Sequence, residues 1–122
     1  MNALIDENNI ETKIVEIATK VIIHAGNARA FSNKAIDLLE NGNLDDPRID
    51  EMLSRADDEI TAAHLTQTKL IQREARGEPF MFSLLLTHAQ DSLMTVMAEI
   101  HITKRLIRLF RVFNPKGLEK TE

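Results

Sequence analysis

Leu86-Thr87-His88-Ala89-Gln90-Asp91-Ser92-Leu93-Met94-Thr95-Val96-Met97-Ala98-Glu99-Ile100 decides the fold of this 122-residue chain. Leu86, Ala89, Leu93, Val96, Ile100 and, further on, Ile107 recur at steps of three and four or their sum, the spacing that gathers side chains on one face of an α-helix. Leu84, Ala98, Ile102 and Leu109 draw a second apolar stripe along the same segment. Gly77-Glu78-Pro79 breaks the chain before it and Asn114-Pro115-Lys116-Gly117 ends it, so the helix runs from about Phe80 to Phe113, with the last few residues frayed.

The same period organises the rest. From about Ile10 to Glu40, a seam is formed by Ile14, Ile17 or Ala18, Val21, Ala25, Ala28, Ala35 and Leu39, with Ser32 in one slot. Asn41-Gly42-Asn43 then offers residues that tolerate the left-handed backbone and stop a helix. Asp46-Pro47 starts the next one, because Asp caps free N–H groups and Pro at the first position lacks only a hydrogen bond that would be unmade anyway. Ile49, Leu53, Ala56, Ile60, Ala63 and Leu70 carry this second helix to about Arg76, with Gln67 in a slot where an apolar residue is expected. Three long helices with short connections imply an all-α, antiparallel three-helix bundle in which residues 1–122 form one domain. The third helix has more apolar surface than two neighbours can cover, Met94 and Met97 included, and this predicts oligomerisation.

Composition narrows the function. Nineteen acidic against fifteen basic residues leave a net charge of −4, which argues against electrostatic capture of nucleic acid. Lys104, Arg105, Arg108 and Arg111 cluster locally, and complementing the carbonyl end of the last helix suffices to explain them. The chain has no cysteine, so disulfides and thiolate metal sites are excluded. The N-terminal stretch carries Asp6 and Glu7 without a signal-peptide pattern, and no apolar run approaches the ~20 residues that span a bilayer. A cytoplasmic protein without membrane insertion is expected. There is no Gly-rich nucleotide loop, no Glu-x-x-His pair and no His-Glu-x-x-His, which disfavours nucleotide, ferritin-like and zincin chemistry.

Chemistry is concentrated around His88. An imidazole, with a reference pKa of about 6.5, is a competent nucleophile near neutral pH, and the N–P bond it forms with a phosphoryl group stays reactive enough to pass that group on. On spacing alone His88 also fits a hydrogen-bonded packing role. Asp91 and Ser92 follow at one helical turn, where the serine hydroxyl could donate to a phosphate or hold the ring, and Gln90 and Gln67 are uncharged phosphate donors. Asp91 must be solvated, paired or bound to a cation. His24, His64 and His101 read as structural or exposed, with His64 the second candidate.

This segment resembles the phosphorylation signature of the lactose/cellobiose-type enzyme IIA of the bacterial sugar phosphotransferase system, a His-Gly/Ala-Gln-Asp-His-Leu-Met-Thr run around the phosphoryl-accepting histidine. Ser92 stands where that pattern has its second histidine. Ala25-Gly26-Asn27-Ala28-Arg29 resembles the family's Gly-x-Ala-Arg stretch, Glu40-Asn41-Gly42-Asn43 its first inter-helix turn, and Ala63-His64-Leu65-Thr66-Gln67-Thr68 its Ala-His-x-x-Gln-Thr run. The resemblance implies a homotrimer with the third helices near the threefold axis and the aspartate matching Asp91 facing that axis, where Mg²⁺ or another hard divalent ion would relieve repulsion. It further implies that His88 takes a phosphoryl group from the general carrier HPr and passes it to a cysteine of a cognate IIB component, which serves the membrane IIC. The sugar would be a β-linked disaccharide such as cellobiose, chitobiose or lactose. The alternative is a non-catalytic helical interaction or regulatory module related to these carriers.

Overall fold

The computed structural model describes the backbone of residues 2–79 and 82–113 and the side chains from Asn9 onward. Three helices follow in order: α1 (Asn2–Glu40), α2 (Pro47–Ala75) and α3 (Leu84–Phe113). The helix stop expected at Asn114-Pro115-Lys116-Gly117, and the fraying beyond it, lie outside the described residues.

Local signals set most of the boundaries. Asp46 accepts the amide of Arg48 at 2.9 Å and caps α2, while Pro47 fills the first helical position. Gly42 has φ of 100° and its amide returns to Leu39 O at 3.0 Å, so the turn after α1 needs the conformation that glycine reaches without strain. Gly77, with φ of 80°, ends α2 in a Schellman arrangement: its amide bonds Glu74 O, and the Glu78 amide bonds Arg73 O.

Two boundaries depart from expectation. α1 begins near Asn2 rather than Ile10, because the stretch before Ile10 contains neither Gly nor Pro and a formed helix propagates without an apolar seam. α3 begins at Leu84, not Phe80. The Ser83 hydroxyl accepts the Leu86 amide at 3.2 Å, capping the helix there, and Phe82 stays outside it; Phe80 and Met81 are not among the described residues.

The core is a stack of three layers. At the α3 N-terminal end Val21, Ala63, Leu70, Leu86 and Leu93 meet; Ala25, Ala28, Ala56, Val96 and Ile100 fill the middle; Ala35, Ile49, Leu53 and Ile107 close the far end. In α1 the ambiguous slot is taken by Ala18, which is fully buried, while Ile17 is half-buried. α3 packs chiefly against α1 and touches α2 less.

Polar ties set the helix register. Arg29 of α1 grips Glu99 of α3, Lys104 of α3 holds Asp57 of α2, and His24 and Asn27 of α1 both reach Glu59 of α2. Arg111 bonds Asp50 and the carbonyl of Leu44. The basic cluster of α3 therefore does more than complement a helix end, since Lys104 and Arg111 are cross-helix fasteners. No helix among the described residues is long and apolar enough to cross a membrane.

Candidate functional site

His88 lies one turn into α3, past the Ser83 cap, and is exposed. Its chain neighbours in the apolar seam, Leu86 and Ala89, are buried, so the helix period that sinks them turns the imidazole out to solvent. Leu84, 77% exposed, precedes it by one turn, and Leu85 is also exposed. The ring thus has exposed leucines on its N-terminal side. Leu85 was not singled out from the sequence, although three consecutive leucines in one helix cannot all fit a single buried stripe.

Asp91 is exposed and Ser92 half-buried, and both share the His88 side of α3 at i+3 and i+4. The remaining candidates lie elsewhere. Gln90 is two residues beyond His88 and so about 200° round the helix, on the side where Lys104 ties α3 to α2. Gln67 is half-buried on α2 between the buried Ala63 and Leu70, in the same core layer as Leu86. His64 is exposed beside it, its Nδ1 3.4 Å from the Thr68 hydroxyl. Within one copy the fold brings His88, Asp91 and Ser92 together and puts Gln90, Gln67 and His64 at the same end of the bundle but on the α2 side of α3. His24 is structural, its Nδ1 3.0 Å from Glu59 Oε1.

Glu78 marks the electrostatics of this end. It is bonded by Arg73 and Arg76, and these hydrogen bonds hold its carboxyl below the usual carboxylate range. The two guanidinium groups are thereby engaged in the α2 terminus.

As for metal, no group of three or more His, Cys, Asp or Glu side chains that could hold an ion occurs among the described residues of one chain. Asp91 contributes a single carboxylate, which does not make a cation site unless other copies add theirs.

Comparison with known proteins matches the chain to a family. The family model for the lactose/cellobiose-specific IIA subunit of the PTS system matches residues 16–111, a span that includes His88, Asp91 and Ser92. The oligo-β-mannoside-specific EIIA component of Bacillus subtilis (strain 168) is 33% identical over 99 residues, covering 81% of this chain and 88% of the relative. The lichenan-specific enzyme IIA component of the same organism is 37% identical over 95 residues, covering 78% and 84%. Among solved structures, the PTS cellobiose-specific enzyme IIA from Bacillus anthracis superposes with a TM-score of 0.76 at 36% identity, covering 85% of this chain and 94% of that one.

Proposed function

This chain belongs to the lactose/cellobiose-specific IIA family of the sugar phosphotransferase system, and we propose that His88 is the residue on which it carries the phosphoryl group. The family supports a phosphotransfer-carrier role for the whole chain. The observation that carries the assignment to His88 is its exposure one turn into α3, with the exposed Leu84 and Leu85 on one side and Asp91 and Ser92 on the other. A nucleophile that must meet two protein partners in turn needs a reachable ring at the centre of a surface that partners can desolvate.

The donor is the phosphohistidine of HPr. The unprotonated ring nitrogen of His88 attacks the phosphorus; the N–P bond of the donor breaks as the new N–P bond forms, and the donor ring keeps the electron pair. A cysteine thiolate of the cognate IIB then attacks the same phosphorus, forming an S–P bond as the His88 bond breaks. IIB hands the group on to sugar moved by the membrane IIC, so the sugar does not touch this chain. Relatives named for oligo-β-mannoside, lichenan and cellobiose support a β-linked saccharide as the cargo of the system, within the class of cellobiose, chitobiose and lactose. A cytoplasmic location follows from that chain of partners.

The functional unit in this reading is a homotrimer with α3 near the axis. Its support is the outer stripe of α3, where Met94, Ile102, Leu109 and Val112 are exposed together with Asp91. Copies of Asp91 facing one another would form a site for Mg²⁺ or another hard divalent ion. Contributions of Gln67, Gln90 and His64 to His88 would then come across a subunit boundary.

Incubation with phosphoenolpyruvate, enzyme I and HPr, followed by intact mass, tests the carrier reading. One acid-labile phosphoryl group per chain is the expected result. No mass gain would leave a non-catalytic helical interaction module, a reading that the serine at position 92 favours.

A further inference from the structure

Asp91 follows His88 one turn along α3 and about 60° round it, so its carboxylate stands about 6–8 Å from a phosphoryl group on the ring. It is exposed and has no ion-pair partner among the described residues. His88 itself looks along the α1 flank of the helix. Glu99, which is bonded to Arg29 of α1, returns to within about 20° of it, while Lys104, which ties α3 to α2, is about 160° away.

Among the described residues of one copy, no cation faces the ring. Val15 and Ile22 precede Arg29 at seven-residue steps, so the edge of α1 that flanks the His88 level is apolar. Lys13 and Lys20 lie about half a turn round from that edge. Arg29 is engaged by Glu99, and Arg73 and Arg76 by Glu78. The bases of α3 begin with Lys104, about 24 Å further along the helix. The field of the helix N-terminus fades within the first turn. Ser92, at the next turn, brings a hydroxyl and no charge.

Transfer from one histidine to another breaks one N–P bond and makes another, so its equilibrium is set by what surrounds the two phosphoryl groups. We infer that the Asp91 carboxylate sets the transfer potential of the group carried by His88. A phosphoryl group of about −1.5 to −2 charge is repelled by the carboxylate and is not compensated within its own copy, so His88 yields it readily to the next nucleophile. Asp91 touches neither the bond made nor the bond broken and acts through its field alone. The inference rests on His88 as the carrier and gives Asp91 a role apart from assembly.

The test mixes purified phospho-HPr with the full chain in chelator, which strips any divalent ion from Asp91, and reads both phosphorylated fractions at equilibrium by intact mass. Asp91→Asn should raise the equilibrium constant for transfer to this chain by about two- to threefold at 0.1 M salt and about four- to sevenfold at 0.01 M. At 1 M salt the difference should nearly vanish. Ser92→Lys sets a cation on the other flank of the ring, away from the outer stripe of α3, and should move the constant in the same direction with the same salt dependence. This second variant keeps the test sound if Asp91→Asn alters assembly. Constants equal to the parent's at every salt concentration, or a change that salt does not attenuate, would overturn the role of Asp91 and leave His88 as the carrier. A parent chain that gains no phosphoryl group overturns both.

Discussion

Arg29 of α1 and Glu99 of α3 face each other through two parallel hydrogen bonds, Nε to Oε1 and Nη2 to Oε2, each 2.9 Å long. The two-pronged geometry fixes rotation as well as distance. With side chains 47% and 46% exposed, the pair adds under about 1 kcal/mol after solvent screening, and its consequence is register. Carried down the parallel helices, that register sets His88 level with Ala18. The layer of Ile14, Ala18 and Val21 therefore backs the turn of α3 that presents the imidazole, and a rigid core supports an exposed ring.

Replacing His88 with Gln should abolish phosphoryl uptake and leave the fold intact. The side chain is exposed and fills no core volume, so the change in stability should stay within about 0.5 kcal/mol. Intact mass after incubation with the phosphoryl donor chain reads the first effect and thermal unfolding the second. Phosphorylation of the variant at the unsubstituted level would move the acceptor elsewhere, with His64 next in line.

Ser92→His restores the usual family signature one turn beyond the acceptor. Because Ser92 is only half-buried, the larger ring can be housed at its edge without overpacking the core. Transfer from phospho-HPr, followed by rapid quench, should be preserved or faster. Complete loss of phosphorylation would instead reveal a specific local role for the serine hydroxyl.

Asp91→Leu probes the outer stripe of α3. If copies of this carboxylate converge, their repulsion opposes assembly and a divalent ion or a proton relieves it. Leucine removes the repulsion and adds apolar burial worth about 1.5–3 kcal/mol per side chain. The variant should assemble at least as tightly as the unsubstituted protein and be indifferent to chelator in sedimentation. Dissociation of the variant, with the chelated parent still assembled, would refute convergence of Asp91 on an axis.

Glu59→Gln should flatten part of the acid limb of the stability curve. The hydrogen bond from His24, then that from Asn27, holds the Glu59 carboxyl below its ordinary value of 4.5. A depressed folded pKa means the unfolded chain binds the proton first, so the stabilisation is fully present above 4.5 and is lost as pH falls through the lower folded value. The melting-temperature gap between parent and variant should narrow as pH falls below about 5. A gap that ignores pH would show that the carboxylate charge contributes nothing there.

Much of this protein is written in its local sequence. Leu86, Ala89, Leu93, Val96, Ile100 and Ile107 are buried as their spacing requires, because 3.6 residues per turn leaves no other way to gather them. Asp46-Pro47, Gly42 and Gly77 punctuate the helices through backbone chemistry that involves few distant atoms. The resemblance around His88 likewise identified the family from a linear pattern. Tertiary structure decided what spacing leaves open. Ala18 rather than Ile17 meets the core, and the second stripe of α3 stays uncovered, since that depends on where α1 and α2 come to rest. Lys104 and Arg111 find Asp57 and Asp50 across gaps of 47 and 61 residues, which no local window contains. The helix period by itself groups His88 with Asp91 and Ser92 and turns Gln90 to the other side, because it fixes the angles between side chains; only packing decides which angle faces a neighbour and which faces solvent.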